Sequence, residues 1–561
     1  MLVAALAALL AVQGAAALQA TTTTDIPRWC GKPYESGSPN SIPSGWLDAP
    51  EPLATQSLYV QVEPRYNIYV SSEKTGSFIV DAALSQYHGQ PYHQDIQVPG
   101  LASQLFTDLY FTITVESTGQ VLVANAVTVN TTDNLFDFDI SLLEPRFDAY
   151  DIKLYGLSLD GLQVYTATTQ LYYLPDKLTG SVTKIDNLNG GLLFKNNATN
   201  FEFVPFFAFG FYTNYGGYLE LSLENVKAYY DLGYTAIHPI PSFSANLTTI
   251  LDYLDELNLL FQYDMRGTYT NLTSVAEQVT MVKDYSSLLV YYTADEPDGN
   301  QDPLNSTSLA YDTITKLDKY HPIGLALNCQ NYYFEDYSAG ADYLMEDAYP
   351  IGINATFSKK WDTPCNVTYG DCGCDNCVGE LQDVSNRLDD FALYQEYLGQ
   401  WPKPRWAVPQ SFDGEEYWSR DPTVNETWVM NQLAVNHGAK SIMLWTYPTT
   451  DVLAAANSQQ SKVLANSPAL DFVTGAKPKA IPIKGNDLLD VSYWTVGKQI
   501  MVSVVNLDYA STSSAVTIPL PFWASSIASS PWGSIEWDLS GNTLTVQGLD
   551  ALATSLVILN V

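Results

Sequence analysis

Two patterns of apolar and polar positions divide the chain. From about residue 57 to 176 apolar and polar residues alternate with a period of two, as in SLYVQVEP (57–64) and DLYFTITVES (108–117). Side chains on a strand point alternately to opposite faces, so this alternation predicts strands with one buried and one solvated face. Turn residues separate the segments, and no long segment has the period of a helix. The region is typical of an antiparallel β-sandwich.

After residue 191 the pattern changes to continuously apolar runs separated by amphipathic segments. Strands that are buried on both faces are apolar throughout. Eight such runs occur, at 203–212, 236–241, 259–267, 288–297, 322–329, 341–350, 405–412 and 441–447. Helices are predicted between them at 223–233, 247–258, 274–285 and 306–320. Eight strands with crossover helices predict a (β/α)8 barrel.

Short strands return after about residue 478, which predicts a small C-terminal β-domain. The expected division is an N-terminal β-sandwich at 18–190, the barrel at 191–475 and a C-terminal β-sandwich at 476–561. Residues 354–380 are too many for an ordinary βα loop and carry four cysteines. They predict a disulfide-rich insertion after the sixth barrel strand, and a structural insertion is favoured over a functional lid.

The first residues predict a leader. An apolar run from Leu2 to Val12 precedes Ala15-Ala16-Ala17, which fits a signal peptide at 1–17. The run is too short to span a bilayer, and no later segment is long enough, so a membrane-spanning protein is not expected. With a leader, the six cysteines favour disulfides over a metal knuckle, with the pairing left open.

Charge and glycosylation signals narrow the expected partners. The formal net charge is −35, which argues against nucleic acid or an anionic membrane surface. No cofactor is indicated, the five histidines argue against a zinc site, and oligomeric state leaves no signal. Eight N-x-S/T sequons predict a glycoprotein, at Asn130, Asn197, Asn246, Asn271, Asn305, Asn354, Asn366 and Asn425.

Carboxylates dominate the polar residues at the predicted strand ends, where barrel enzymes carry their active sites. The fourth run ends in Asp295-Glu296-Pro297. Burying two adjacent carboxyls is costly, and their adjacency is expected to raise one pKa, as a general acid requires. A carboxylate-rich mouth with aromatic walls suits glycosidic-bond cleavage, in which one acid protonates the leaving oxygen and a second carboxylate attacks or activates water.

The motif at the fourth run resembles the retaining (β/α)8 glycosidase clan, in which Asn-Glu-Pro is usual and the Glu is the acid/base. Asp295 stands where the clan has Asn. The segments ADYLMEDAYPIG, RWAVPQSF and NHGAKSIMLWTY also resemble secreted fungal glycosidase-like proteins. The resemblance implies that Glu296 is the catalytic acid. The clan has its nucleophilic Glu at the end of strand seven, where this chain has Gln410, so the ordinary retaining mechanism does not carry over unchanged.

The second carboxylate stays open on the sequence alone. Asp347 after the sixth run is the first choice and Asp264 after the third is the next, while Glu415 or Glu416 could fold back into the site. The expected substrate contacts are Asp295, Tyr349, Gln410, Trp445 and His238. Trp445 is the predicted stacking platform, and His238 fits a core histidine equally well.

The expected function is a secreted glycoside hydrolase that acts on an oligosaccharide or polysaccharide, outside the cell or at the cell wall. Two alternatives remain. A carbohydrate-binding barrel without catalysis is suggested by Gln410, and a cell-wall glycoprotein is suggested by the β-domains and the sequons.

Overall fold

A computed structural model describes residues 26–97, 103–412 and 415–561. The predicted leader at 1–17 lies outside the described residues. In the part of the chain that the structure describes, no helix is both long and apolar enough to cross a membrane.

The N-terminal region is a sandwich of two antiparallel sheets, as the period-two alternation predicts. One sheet has the strand order Val121–Thr128, Asp108–Val115, Tyr150–Leu157 and Val164–Leu171. The other has the order Thr131–Asp139, Thr75–Ser85, Ser57–Pro64 and Gln90–Pro91. Inward-facing residues such as Phe78, Leu109 and Ile113 form one buried core between the sheets.

The centre of the molecule is a closed barrel of eight parallel strands, which confirms the predicted fold class. Barrel strands 1 to 8 are Phe209–Asn214, Ala236–Ile240, Leu260–Asp264, Leu288–Asp295, Ile323–Leu327, Tyr343–Glu346, Arg405–Ala407 and Ala439–Tyr447. Each falls in or overlaps one of the eight apolar runs. Alternate residues serve two cores: Phe211 packs outward against the helices, and its neighbour Tyr212 packs into the barrel.

Helices surround the barrel in the expected positions. The longer ones are Leu223–Asp231, Leu247–Leu257, Leu272–Val282, Ser306–Leu317, Gln382–Tyr397, Val424–Asn436 and Asp451–Leu464, and the shorter ones are Pro297–Asn300, Phe334–Ser338 and Ala469–Gly475. Polar side chains fix several starts. Thr423 and Glu426 form a capping box at the start of Val424–Asn436, which satisfies two backbone N–H groups.

A small antiparallel sheet closes the bottom of the barrel. Its strands are Val182–Ile185, Leu192–Lys195 and Val204–Phe206. Ile185 and Phe194 share a buried cluster with residues inside the barrel. This sheet lies across the expected boundary at residue 190, and the domain limits themselves stay a prediction.

Disulfides use all six cysteines. Two bridges, Cys365–Cys372 and Cys374–Cys377, lie within the insertion predicted after the sixth strand. The third joins Cys30 to Cys329 and ties the N-terminal segment to the loop after strand 5. Residues 28–47 therefore lie over the mouth of the barrel rather than in the sandwich, where the antiparallel pair Arg28–Trp29 and Lys32–Pro33 forms a short hairpin.

The C-terminal region is a second β-sandwich. A five-stranded sheet contains Lys479–Ala480, Leu489–Val496, Gln499–Asn506, Thr554–Asn560 and Ser526–Trp532, and a three-stranded sheet contains Thr512–Pro519, Thr543–Leu549 and Asp538–Ser540. The buried amide of Gln432, on a barrel helix, donates to Ser503 Oγ at 2.8 Å and to the Ser555 carbonyl at 2.9 Å. These bonds hold the C-terminal sandwich against the barrel.

Candidate active site

Glu296 follows the last residue of barrel strand 4. Its backbone has φ of 49° and ψ of 49°, in the left-handed region, and its N–H donates to the Ala326 carbonyl of strand 5 at 3.1 Å. A residue before proline avoids the right-handed helical region, and Pro297 begins a short helix here. A left-handed residue other than glycine costs about 1–2 kcal/mol. Such strain is concentrated at functional sites, which makes Glu296 a candidate.

One amide holds Glu296 beside a second carboxyl. Asn328 Nδ2 donates to Glu296 Oε1 at 3.1 Å and to Asp347 Oδ1 at 3.2 Å. Because a single nitrogen contacts both oxygens, they can be no further apart than the sum of these two distances. The structure thus brings together the two residues that the sequence ranks first.

The surroundings of Glu296 favour the protonated form of its carboxyl. Burial raises the pKa of its carboxyl well above the usual value, and the adjacent Asp347 raises the pKa further. Asp295 contributes less than Asp347. The sequence predicts a raised pKa from the adjacent Asp295, whereas the larger electrostatic effect comes from Asp347 on another strand. A carboxyl with a raised pKa beside a second carboxyl is the arrangement that a general acid needs.

Distant parts of the chain fix Asn328. The indole Nε1 of Trp29 donates to Asn328 Oδ1 at 3.2 Å. The buried Asp298 carboxylate accepts from the backbone N–H groups of Asn328 at 3.3 Å and of Cys329 at 2.8 Å. The guanidinium of Arg387 donates to the Asn328 carbonyl. With both amide groups and both backbone groups engaged, Asn328 is held in one orientation.

The carboxyl pair opens into a cavity of about 380 Å³ at the mouth of the barrel. Its aromatic lining consists of Trp29, Tyr34, Tyr212, Tyr349, Trp361, Tyr417, Trp418 and Trp445. Its acidic lining consists of Asp295, Glu296, Asp347, Asp371 and Glu415, and Lys360 is its one cation in the part of the chain described. Aromatic faces with a few convergent polar groups are typical of a sugar-sized site.

Asp295 lines the same cavity, and its carboxylate is already engaged. Its Oδ1 accepts from the Tyr292 hydroxyl at 2.5 Å and its Oδ2 from Arg266 Nη1 at 2.5 Å. Burial nevertheless raises the pKa of Asp295, and the charge of Arg266 opposes that rise. The predicted contact between Asp295 and a sugar hydroxyl stays a prediction.

Asp264 and His238 lie below the cavity, and neither lines it. Asp264 Oδ2 accepts from Arg266 Nε at 2.7 Å and bonds His238 Nε2 at 2.7 Å, while Oδ1 accepts from the Arg266 backbone N–H at 2.7 Å. Burial lowers the pKa of His238, although Asp264 opposes the shift. His238 Nδ1 is buried and has no hydrogen-bond partner among the described residues. Both residues form a buried polar support for Tyr212, whose ring stacks on His238 at 3.9 Å.

Gln410 follows strand 7 and is fully buried. Its Oε1 accepts from the Ile351 N–H at 2.9 Å, and its Nε2 donates to the Ile351 carbonyl at 3.0 Å. The side chain thus satisfies the loop after strand 6 and does not line the cavity. Its predicted substrate contact stays a prediction that this geometry does not favour.

Tyr349 and Trp445 line the cavity, as a role in substrate binding requires. Tyr349 packs edge-on against Phe412 and Trp418, with ring centroids 5.1 and 5.7 Å away. Trp445 is half-buried, and its indole Nε1 donates to Glu415 Oε1 at 3.0 Å.

The two remaining candidates for the second carboxylate differ in position. Glu415 reaches the rim of the cavity. Glu416 pairs instead with Lys360 at 2.5 Å and does not line the cavity. Neither makes the shared amide contact that joins Asp347 to Glu296.

Several cavity residues come from segments that the sequence did not connect to the site. Trp29 and Tyr34 belong to the N-terminal segment, and Trp361 and Asp371 belong to the insertion. Trp361 Nε1 donates to Asp371 Oδ2 at 3.1 Å. The cysteines were the available signal, since they tie both segments to the barrel mouth. Within the described ranges, no group of three or more His, Cys, Asp and Glu side chains has the arrangement of a metal site.

Comparisons with known proteins give a weak likeness in structure. No family description and no curated protein matches the sequence. A GH30 endoxylanase from Clostridium papyrosolvens is 12% identical, with 64% of this chain and 97% of the other aligned and a TM-score of 0.40. Alpha-galactosidase I from Mortierella vinacea is 12% identical, with 63% and 96% aligned and a TM-score of 0.41.

An Anoxybacillus alpha-amylase is 10% identical, with 60% of this chain and 89% of the other aligned and a TM-score of 0.41. These identities and TM-scores are too low to carry information about substrate or mechanism. The chemistry of this chain must be inferred from its own cavity.

Proposed function

We propose that the chain is a glycoside hydrolase with Glu296 as its catalytic acid and Asp347 as its second carboxylate. The observation that supports this most is the pair itself: two carboxyls from strands 4 and 6 share the amide of Asn328 at the floor of an aromatic cavity. Glycosidic cleavage needs one carboxyl that gives a proton and one that does not.

The electrostatics support these roles. A raised pKa keeps a proton on Glu296 for the leaving oxygen. Asp347 then faces the anomeric carbon as the nucleophile, and Glu296 as carboxylate activates the water that releases the product. The shared contact with Asn328 Nδ2 keeps the two carboxyl oxygens closer together than the ~6.5–9.5 Å of inverting enzymes, which favours a retaining mechanism. Tyr349 and Trp445 supply the walls that would hold the sugar ring.

The experiment measures reducing-sugar release from a panel of plant and fungal glycans and from 4-nitrophenyl glycosides. Glu296→Gln should lower kcat by about 10²–10⁴ because it removes the proton donor and keeps the shape. Asp347→Asn should lower kcat at least as far. Glu415→Gln removes an exposed carboxyl of the same cavity and serves as the matched control, with kcat reduced far less.

The two roles can be separated. If Asp347 is the nucleophile, Asp347→Gly should regain activity in azide and form a glycosyl azide of inverted configuration, whereas Glu296→Gln should not. A Glu296→Gln variant as active as the wild type would refute the proposal. Glycan binding without turnover in the wild type would favour the non-catalytic carbohydrate-binding barrel.

We also propose that the protein is secreted and N-glycosylated. The three disulfides fit an oxidising compartment. Seven of the eight sequon asparagines are exposed, and Asn246 alone is half-buried. Its Oδ1 accepts from the Tyr215 hydroxyl at 2.5 Å and its Nδ2 donates to the Glu220 carbonyl at 3.2 Å, so Asn246 is the sequon least available for a glycan.

A further inference from the structure

A second cavity of about 420 Å³ adjoins the one that holds Glu296 and Asp347. The two cavities share Trp29 and Asp371 in their linings. Trp29 is fixed between them, because its indole Nε1 bonds Asn328 and its ring covers Gly299 so closely that a Cβ there would lie 2.3 Å from the ring. The partition between the cavities is therefore built against the residue that holds the carboxyl pair.

The second cavity has an indole on its wall. Trp46 is 36% exposed, although it lies in a segment whose backbone is fixed. The Leu47 N–H donates to the Asn331 carbonyl at 3.2 Å, and Asn331 Nδ2 donates to the Leu47 carbonyl at 3.2 Å. An aromatic ring that is held in place and left partly open is the surface on which a sugar face stacks.

Covalent and ionic contacts fix the shape of this cavity. The two disulfides of the insertion, Cys365–Cys372 and Cys374–Cys377, line it, and the buried ion pair Lys32–Asp375 forms part of the wall. Because Lys32 and Asp375 neutralise each other, neither is available to pair with a charged ligand. Asp371 adds one further carboxylate to the lining. A rigid cavity with two indoles and this carboxylate disfavours an anionic ligand and suits a neutral sugar.

We propose that the second cavity is an additional sugar-binding subsite, with Trp46 as its platform, so that the preferred substrate is an oligosaccharide that extends past Trp29. This inference rests on the proposed function for its catalytic half. The chain of the substrate passes from the Glu296–Asp347 cavity along Trp29 and Asp371 into the second cavity. Residues 28–47 thus determine specificity for chain length.

The first test compares kcat/KM for a 4-nitrophenyl monoglycoside with kcat/KM for oligosaccharides of the same sugar, from disaccharide to hexasaccharide. In the wild type, the ratio of kcat/KM for the oligosaccharide to kcat/KM for the monoglycoside should rise with chain length. Trp46→Ala should lower that ratio by about three- to tenfold, the effect of losing one aromatic contact. Val367→Trp, at an exposed position in the lining, should lower it by filling the cavity. Trp523→Ala removes an equally large exposed indole from the C-terminal sandwich and should leave the ratio unchanged.

The second test measures binding of the same oligosaccharides to Glu296→Gln by calorimetry, with and without Trp46→Ala. Affinity that rises with length and falls on Trp46→Ala supports the subsite even if the wild type hydrolyses nothing, in which case only the proposed function fails. Hydrolysis with no dependence on length, or no change on Trp46→Ala, overturns the subsite and leaves the proposed function intact. No binding of any oligosaccharide overturns both.

A glycan on the protein itself needs a control, because the sequon residue Asn366 also lines the second cavity and is exposed. Both tests should therefore be repeated on Asn366→Gln. An unchanged dependence on chain length supports a subsite for free substrate, whereas a dependence that appears only without the glycan means that the native cavity is closed to substrate and overturns the inference.

Discussion

Asp264 and Glu296 stand at the ends of neighbouring barrel strands, yet their surroundings make them opposites. Asp264 is fully buried and bonds a guanidinium, an imidazole and a backbone N–H. The presence of Arg266 and His238 outweighs burial and lowers the pKa of Asp264. Glu296 has carboxyls as its charged neighbours, and its pKa rises. For these two carboxyls, the charge of the neighbouring side chains, rather than the position at a strand end, decides whether the pKa falls or rises.

The largest expected effect on stability comes from breaking the Asp264 cluster. Asp264→Asn leaves the largely buried Arg266 with Asp295 as its one remaining carboxylate partner in the described part of the chain. Breaking one partner of a buried ion pair costs about 3–5 kcal/mol. The thermal midpoint should fall by several degrees, whereas Glu296→Gln should leave it unchanged or raise it. Equal losses of stability in the two variants would contradict the claim that Asp264 stabilises the fold through its charged partners and Glu296 does not.

Glu346, the last residue of strand 6, allows a smaller test on a carboxyl with no substrate role. Burial raises its pKa to about 8, with Arg387 opposing the rise and Asp347 adding to it. A folded pKa above the unfolded value means that the folded protein binds more protons, so stability falls as pH rises from about 4.5 to about 8. This one group should cost at most about 3 kcal/mol by pH 7.

Glu346→Gln removes this titration and should flatten the curve of thermal midpoint against pH between pH 5 and 8. The thermal midpoint of the variant should rise relative to that of the wild type as pH rises. Curves that stay parallel over this range would show that Glu346 does not titrate in that window. Burial likewise raises the pKa of Asp298 and of Glu63 to about 7, so part of the dependence on pH should persist in the variant.

The smallest expected effect concerns the indole that bonds Asn328. Trp29→Phe removes that hydrogen bond and keeps a ring over Gly299, so kcat should fall by about twofold to tenfold, as expected for a bond worth about 1 kcal/mol. Trp361→Phe is the matched control, because it removes indole hydrogen bonds to Asp371 and Tyr417 in the same cavity without touching Asn328. Trp361→Phe should change KM rather than kcat. A larger loss of kcat in the control would mean that Asn328 does not depend on Trp29.

The apolar runs predicted the barrel well because a parallel strand packs on both faces. Phe211 and Tyr212 are both buried, one on each side of the barrel wall, and such positions leave an unbroken apolar signal. The ends of the strands were also predictable, which is why Glu296 and Asp347 could be ranked first. The pairing between them was not, because it depends on distances between strands 4 and 6.

Residues that act through tertiary contacts escaped prediction. Trp29 and its partner Asn328 are 299 positions apart in the sequence. No local pattern around Trp29 predicts that it lies at the site. For Asp264 a hint existed, since Arg266 lies two residues further on and could be expected to neutralise it. Gln410 illustrates the reverse: its strand end suggested a ligand contact, while its amide is used entirely by Ile351.

The bridge between Cys30 and Cys329 joins residues 299 positions apart, so it encloses the first sandwich and the first five barrel strands in one covalent ring. A ribosome must release more than half of the polypeptide before this ring can close. A truncated protein that contained the barrel alone would lack Trp29 and Tyr34, and its cavity would be open on one side. Residues 28–47, which follow the predicted leader and could be mistaken for an unstructured extension of it, therefore form part of the cavity wall.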